Sequence, residues 1–266
     1  MICALLVFQT PDFEPTLDLI SPWLDMQTRA IADVVTDLDA QTHRRFIKTH
    51  TPLDGLPYDE RVTYICVGRD PRDVALSWDN HVNNMDFVRL FTARDGAVGN
   101  DDLGEFFPDG LPERPESEAD RFWLFVDDEH RVEESTNLAA ALHHWQTFWD
   151  ERDRPNIVFL HYDDLKLDLE GEMRTLAQRL EIEVPEEQWP ALVDAAGFES
   201  MKANADRITP DATNAIFMSN EQFFNAGRSR QWERIMTTQA DVDRYFTRAN
   251  ALASPDVVAW AHRKGG

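Results

Sequence analysis

The chain has 266 residues, of which 42% are hydrophobic and 11% are aromatic, a composition typical of a globular protein and not of a disordered one. The formal net charge of -23 argues against a nucleic-acid binder and against a protein that docks on anionic membranes, because both require a basic surface. An anionic ligand would therefore need a local basic pocket.

The length indicates one large domain, which we expect to span residues 1–266. Cys3 and Cys66 are the only cysteines, so the sequence offers neither a disulfide framework nor zinc-ligand spacing, and no metal is expected. The apolar run Met1–Phe8 is too short for a signal peptide, and no run approaches the roughly 20 apolar residues of a transmembrane helix. We expect a soluble, cytoplasmic protein.

The first elements follow from the spacing of apolar residues. Met1–Gln9 is apolar on nearly every side, as in a buried helix, and residues 27–41 carry apolar side chains at helical spacing. Residues 45–50 are then predicted to form a short strand that ends with Lys48 and His50.

A second strand is predicted over Val62–Val67, an apolar, β-branched run typical of a strand buried on both faces of a parallel sheet. It ends at Gly68, and Pro71 suits the first turn of the helix that follows, whose apolar residues share one face. This order is strand, turn, helix.

Residues 84–131 combine glycine, proline and acidic clusters with several phenylalanines. Such a long excursion in a compact domain is often a lid or a substrate-binding loop, and a solvated linker is the alternative. We expect a lid or binding excursion here.

The second half of the chain repeats the alternation of helix and strand. A helix is predicted over Leu138–Arg152 and a third strand over Asn156–Tyr162, after which Asp163–Asp164 should cap a helix that runs to about Leu180. Residues 185–266 are expected to contain helices and loops.

This alternation predicts an α/β fold, a parallel sheet with covering helices. Ligands of such sheets lie beyond the carboxyl ends of the strands, where Lys48, His50, Arg69 and Tyr162 are expected.

Four separated segments resemble the signature stretches of the PAPS-dependent cytosolic-type sulfotransferases, in the order that this family shows. PAPS is the sulfonate donor 3'-phosphoadenosine 5'-phosphosulfate, and PAP is the product that remains after transfer. The resemblance implies a P-loop-kinase-like sulfotransferase fold. The segments are Lys48–Pro52, Val67–Trp78, Phe159–Leu165 and Phe223–Trp232.

The first segment is similar to the family's Lys-Thr-His stretch, which implies that His50 is the catalytic base. An acceptor hydroxyl must lose its proton as it attacks sulfur, and an imidazole suits that task. Lys48, two residues away on the same face of a strand, is the candidate for stabilising charge on the transferring oxygens.

The family resemblance also implies the nucleotide contacts. Arg69 and Ser77 match the pair that holds the 3'-phosphate, and a guanidinium near a helix N-terminus suits that role. Tyr162 and Phe198 match residues that contact the adenine. In the same turn, Arg72 and Asp73 are expected to form surface or structural ion pairs.

The last segment resembles the family's closing loop, Arg-Lys-Gly-x-x-Gly-Asp-Trp, with Gly227 and Arg228 as cofactor-binding candidates. The family's Arg-Lys pair is replaced here by Asn225–Ala226, which removes two positive charges. Arg228 and Arg230 are the candidates to replace that pair.

The family's phosphosulfate-binding loop, Pro-Lys-Ser-Gly-Thr-Thr-Trp, has no counterpart in the sequence. Met1–Leu6 resembles the middle of the helix that follows this loop, so we expect an N-terminally incomplete domain without the first strand. Either the natural chain begins upstream, which we favour, or the chain is a remnant. Loss of the loop should abolish turnover, because it neutralises the leaving phosphate.

The function that these segments imply is sulfonate transfer from PAPS to a hydroxyl group, less readily an amine, of a small or lipid-like acceptor. His143 and His144 are weaker candidates for acceptor contacts than for structural roles. The alternative is a noncatalytic protein of the same fold that binds PAP or another nucleotide, or acts as a scaffold. A P-loop kinase is disfavoured because its Gly-x-x-x-x-Gly-Lys-Ser/Thr motif is absent. The sequence leaves the oligomeric state open.

Overall fold

The computed structural model describes residues 1–14, 16–106, 113–130, 136–210, 215–225 and 227–263. Within these ranges the α-helices are α1 (Ile2–Phe8), α2 (Leu17–Ile20), α3 (Ile31–Ala40), α4 (Pro71–Asn83), α5 (Phe87–Ala97), α6 (Leu103–Phe106), α7 (Glu118–Asp127), α8 (Leu138–Asp150), α9 (Tyr162–Leu167), α10 (Leu169–Arg179), α11 (Trp189–Ala196), α12 (Phe198–Ala203), α13 (Ala205–Ile208), α14 (Asn220–Phe223), α15 (Gln239–Leu252) and α16 (Pro255–Ala261). Single 3₁₀ turns cover Leu53–Gly55, Glu186–Gln188 and Gln231–Arg234.

The sheet within the described residues consists of two parallel strands, β1 (Tyr64–Gly68) and β2 (Ile157–His161). Their register pairs Tyr64 with Ile157 and Gly68 with His161, so both strands end at the same level. A parallel pair needs a long crossover, which here contains α4 to α8. The predicted α/β class with a parallel sheet and covering helices is confirmed.

The chain divides into two compact units. The first unit contains Met1–His50, His81–Pro108 and Leu169–Gly227. Its core includes the fully buried residues Ala4, Leu5 and Leu6 of α1, and α1 packs on α11. The predicted buried helix at Met1–Gln9 is therefore present.

The second unit contains Thr51–Asn80, Asp109–Asp168 and Arg228–Gly266. Its core joins Cys66 of β1 to buried residues of α4, α7, α8, α15 and α16. Gly68, the last residue of β1, lies against Trp260, and a Cβ built there would be 2.1 Å from that ring. Only glycine allows this close approach, which brings the end of β1 against α16.

The predicted strand over residues 45–50 is wrong, because only Lys48 pairs there, in an isolated parallel bridge. A longer parallel ladder would need an N–H group from residue 22, which is Pro22 and has none. On the other side, the N–H group of His50 donates to the carboxylate of Asp25 instead of a strand carbonyl. The segment is extended but cannot continue a sheet.

Two further expectations need correction. β1 is not buried on both faces, because Val67 is 54% exposed while Cys66 is buried. The helix after β2 is not capped by Asp163–Asp164: the N-cap is His161, whose Nδ1 accepts from the Asp163 N–H group. The predicted single helix is also interrupted at Asp168, between α9 and α10.

The excursion over residues 84–131 contains α5, α6 and α7. Residues 107–112 and residue 131 lie outside the described residues. Its role as a lid or binding loop stays a prediction. Within the described ranges, no helix combines the length and apolar character that a membrane-spanning segment requires.

Candidate functional site

Arg69 and Tyr162 lie side by side at the carboxyl ends of the two strands. Arg69 directly follows β1 and Tyr162 directly follows β2, so the parallel register brings them to the same edge. The guanidinium carbon of Arg69 is 4.5 Å from the centre of the Tyr162 ring, a cation–π distance. Burial raises the pKa of the Tyr162 hydroxyl. The aromatic face keeps the guanidinium in one orientation.

The hydrogen-bonding capacity of Arg69 is only partly used. Its Nη2 donates to the backbone carbonyl of Arg228 at 3.3 Å. Its Nε is buried and has no hydrogen-bond partner within the described residues. An unpaired buried donor is costly, so Arg69 would gain from any change that brings an acceptor to this nitrogen. Ser77, two turns along α4, is exposed, and its side chain is accessible.

Arg72 and Asp73 differ from each other in what they bind. The Arg72 guanidinium donates to both carboxylate oxygens of Asp70, from Nε at 2.9 Å and from Nη2 at 2.6 Å, and both side chains are 9% exposed. The same guanidinium lies 3.6 Å above the Trp232 ring. The predicted structural ion pair of Arg72 is therefore formed with Asp70.

Within the described residues, Asp73 has no ion-pair partner and binds two backbone N–H groups instead. Its Oδ2 accepts from Arg230 at 2.6 Å and its Oδ1 accepts from Gln231 at 2.9 Å. Burial raises the pKa of Asp73, while these two N–H groups and the charge of Arg69 oppose that shift. The expectation of an ion pair at Asp73 is corrected: its carboxylate fixes a loop.

The two arginines near the end of the closing loop have different surroundings. Arg230 forms an ion pair with Glu233, with Nε 2.8 Å from the carboxylate. The Arg228 side chain is exposed, and within the described part of the chain no carboxylate pairs with it. Asn225 is exposed as well, and Ala226 lies outside the described residues.

Phe198 and Gly227 lie in direct contact. Gly227 has a φ of +58°, a left-handed conformation that favours glycine, and a Cβ built there would lie 2.9 Å from the Phe198 ring. The ring of Phe224 packs against Phe198 in a T-shaped arrangement at 6.4 Å between centres. The two sequence candidates therefore form one structural contact.

Lys48 and His50 share one aromatic neighbour. Nζ of Lys48 lies 3.6 Å from the centre of a Trp23 ring, and the His50 ring centre lies 4.4 Å from a ring of the same residue. The N–H group of His50 donates to Asp25 Oδ2 at 2.9 Å. Burial lowers the pKa of Lys48 to about 8, and the charge of Asp25 partly opposes this shift. The His50 side chain is exposed, so an acceptor has access to it.

Three further histidines contact a carboxylate or aromatic rings, and these contacts explain their positions. His143 Nε2 is 3.2 Å from an Asp54 carboxylate oxygen, and the His144 ring lies 5.1 Å from Phe148. His81 packs between Phe217 and Phe223, at 5.0 and 5.5 Å between ring centres. Burial, followed by the charge of Lys48, lowers the pKa of His81 to about 4.

The sequence candidates fall into two groups by unit. The first unit holds Lys48, His50, Phe198 and Gly227, and the second holds Arg69, Ser77, Tyr162 and Arg228. Within the units, contacts join Phe198 to Gly227 and Arg69 to Tyr162 and Arg228. The roles assigned to all eight residues stay predictions.

Sequence reasoning missed Trp23 and Asp25 and misjudged Asp73. Trp23 and Asp25 lie more than 20 residues before the histidine segment, and no local pattern connects them to it. Asp73 lies inside the recognised twelve-residue segment, but its partners come from a distant loop. Among the described residues, no group of histidine, cysteine or carboxylate side chains is arranged to hold a metal ion.

Comparison with known sequences matches residues 3–252 to the sulfotransferase domain family. A glycolipid sulfotransferase of Mycobacterium tuberculosis is 39% identical over 269 aligned positions, which cover 98% of this chain and 82% of that protein. The glycolipid sulfotransferase of Mycobacterium bovis is 40% identical over 272 positions with the same coverage. The luciferin sulfotransferase of Photinus pyralis is 26% identical over 73% of this chain and 47% of its own length.

Two solved structures have similar folds. Retinol dehydratase in complex with androsterone and the inactive cofactor PAP superposes with a TM-score of 0.65 and 20% identity, over 93% of this chain and 72% of that one. A mouse sulfotransferase complexed with PAP gives a TM-score of 0.64 and 17% identity, over 98% and 82% of the two chains. Both likenesses support the predicted fold class.

Proposed function

The chain belongs to the sulfotransferase domain family, and we propose that it transfers a sulfonate group from PAPS to a hydroxyl group of a lipid-like acceptor, leaving PAP. Relatives with about 40% identity are named glycolipid sulfotransferases, which supports a lipid-like acceptor. Structures of the same fold contain PAP, which supports PAPS as donor. A hydroxyl acceptor is favoured over an amine, and the cytoplasm is the proposed compartment.

The main support for the proposal is that four arginines of the second unit differ in whether a carboxylate pairs with them. Arg72 is committed to Asp70, and Arg230 is committed to Glu233. Arg69 has a buried donor without a partner, and Arg228 is exposed without a carboxylate partner in the described residues. Arg69 and Arg228 are therefore the two that remain for an anionic ligand.

Arg69 is well prepared to bind a phosphate. A guanidinium binds phosphate through parallel N–H groups, and the Tyr162 ring and the Arg228 carbonyl already fix its plane. Little side-chain entropy would be lost on binding. We assign Arg69 and Ser77 to the 3'-phosphate, with Arg228 as the replacement for the family's Arg-Lys pair, and Tyr162 and Phe198 to the adenine.

His50 is the proposed general base. The acceptor oxygen forms a new bond to sulfur, the bond between sulfur and the phosphate oxygen of PAPS breaks, and the acceptor proton passes to the His50 imidazole. The Lys48 ammonium is proposed to stabilise negative charge on the oxygens around sulfur. With a pKa of about 8, Lys48 remains mostly protonated at neutral pH.

One observation favours a second candidate, a PAP-binding protein without transferase activity. The family's phosphosulfate-binding loop, which neutralises the leaving phosphate, has no counterpart in the sequence. In that case PAP would bind and no sulfonate would be transferred.

The test combines calorimetry with PAP and a transfer assay with labelled PAPS and a glycolipid acceptor. Arg69→Ala should weaken PAP binding by about tenfold to a hundredfold, because a hydrogen bond to a charged group contributes about 1.5–3 kcal/mol. The exposed Arg61, which pairs with Asp59, provides a matched control: Arg61→Ala should leave PAP binding unchanged. Equal affinities for the Arg69→Ala and wild-type proteins would contradict the assignment.

His50 is tested on transfer rather than on binding. His50→Ala should lower the transfer rate by about 100- to 10,000-fold, the usual contribution of a general base, while PAP affinity stays the same. His143→Ala, which removes a partly exposed histidine, is the matched control. Binding of PAP by the wild-type protein without any transfer would favour the second candidate.

A further inference from the structure

Asp73 connects the start of α4 to the segment Arg228–Trp232. It is 2% exposed, and its two carboxylate oxygens each accept a backbone N–H group, from Arg230 and from Gln231. We infer that Asp73 is a positioning residue, which holds the segment Arg228–Trp232 in the conformation in which the Arg228 carbonyl accepts from Arg69.

The conformation of the segment explains why a carboxylate is needed. Arg230 is left-handed, with φ +65° and ψ +25°, and the 3₁₀ turn begins at Gln231. Successive N–H groups in such a turn converge and form a small anion-binding concavity. The Asp73 carboxylate fills this concavity with one oxygen for each N–H group. An asparagine has a single acceptor oxygen and would leave one N–H group facing an NH₂ group.

Neighbouring contacts act on the same segment. Ser229 Oγ donates to Asp163 Oδ1 at 2.6 Å, and the Trp232 ring lies under the Arg72 guanidinium. The Arg228 carbonyl accepts from Arg69. Among the described residues, Asp73 is the side chain that binds these two N–H groups. Loss of its carboxylate should therefore release the turn and loosen the contact between the Arg228 carbonyl and Arg69, while the Ser229–Asp163 and Trp232–Arg72 contacts remain.

The effect on nucleotide binding rests on the proposed function, but the order of the segment does not. Arg228 and Arg230 are also cleavage sites for trypsin, which makes local opening measurable without any ligand. We expect Asp73→Asn to raise the rate of cleavage after these two arginines by about tenfold, since proteolysis follows the population of the open form. The thermal unfolding midpoint should change little.

The same variant should weaken PAP binding by about tenfold, because Arg228 is no longer fixed beside Arg69. Asp95→Asn, which alters an exposed carboxylate on α5, is the matched control for both measurements. Faster cleavage together with weaker binding supports the positioning role. Cleavage at the wild-type rate would overturn it, whatever the affinity for PAP.

Failure of the proposed function and failure of the positioning role give different results. If the wild-type protein does not bind PAP while Asp73→Asn still accelerates cleavage, the donor assignment fails and the positioning role stands. If Asp73→Asn does not fold, hydrogen exchange of the wild-type protein decides. The amides of Arg230 and Gln231 should exchange at least tenfold more slowly than the same two amides would in an unstructured peptide, and free exchange of both would overturn the inference.

Discussion

Gly227→Ala tests the contact between the closing loop and Phe198. The added Cβ would lie 2.9 Å from two atoms of the Phe198 ring and 3.0 Å from a third, distances that require the ring or the loop to move. The backbone would also have to hold an alanine at φ +58°.

The expected loss of stability has two parts. A non-glycine residue in the left-handed region costs about 1–2 kcal/mol. Overpacking against a ring that is already in contact costs about 1–3 kcal/mol more. Gly227→Ala should therefore lower the free energy of unfolding by about 2–5 kcal/mol, and it should also weaken PAP binding, because Phe198 is the proposed adenine contact.

Urea unfolding separates the two parts with a matched control. Gly99 has a φ of +87° and no heavy atom within 4 Å of a built Cβ, so Gly99→Ala carries the backbone cost alone. In a Phe198→Ala background, Gly227→Ala should cost only about as much as Gly99→Ala does. Equal losses for the two single glycine variants, or no coupling between Gly227 and Phe198, would refute the contact.

Three further predictions concern stability. The pKa of Lys48 is about 8 in the folded chain and 10.5 when unperturbed, so between these pH values the unfolded state binds more protons than the folded state. The free energy of unfolding should therefore rise from about pH 8 to pH 10.5. Urea unfolding of Lys48→Met should show a smaller rise. The pKa of His81 is lowered from 6.5 to about 4, so stability should be lost as pH falls through that window, and His81→Phe should remove this part of the loss. Asp70→Asn leaves the buried Arg72 unpaired and should cost about 3–5 kcal/mol, whereas Asp59→Asn, at an exposed pair, should leave the melting temperature nearly unchanged.

The parts of the fold that sequence predicted best are those in which local pattern and burial agree. The apolar runs that became β1 and β2 and the helices α3, α4 and α8 have strong periodicity, and each was recovered within a few residues. The segment at residues 45–50 has the composition of a strand, but its pairing depends on Pro22 and Asp25. Those residues are distant in sequence, so composition alone cannot reveal the failure of the ladder.

In the candidate site, too, contacts that follow from the strand pattern could be predicted, and contacts with residues distant in sequence could not. The family resemblance is confirmed, and the motif residues Arg69 and Tyr162 meet as the parallel register requires. The partners of Asp73 could not be predicted, because a buried aspartate next to several arginines fits an ion pair as well as a loop contact. Only the left-handed turn at Arg230 decides between them, and no residue type encodes it.

A chain with a net charge of -23 and an anionic donor are physically compatible. At physiological ionic strength the Debye length is about 8 Å, so most of the acidic residues are screened from a bound ligand. The ligand responds mainly to groups in contact, and contact energies are larger where water is excluded. On the proposed assignment, the affinity for PAP depends on Arg69 and Arg228, which have no carboxylate partner among the described residues. Arg72 and Arg230, each paired with a carboxylate, contribute structure instead.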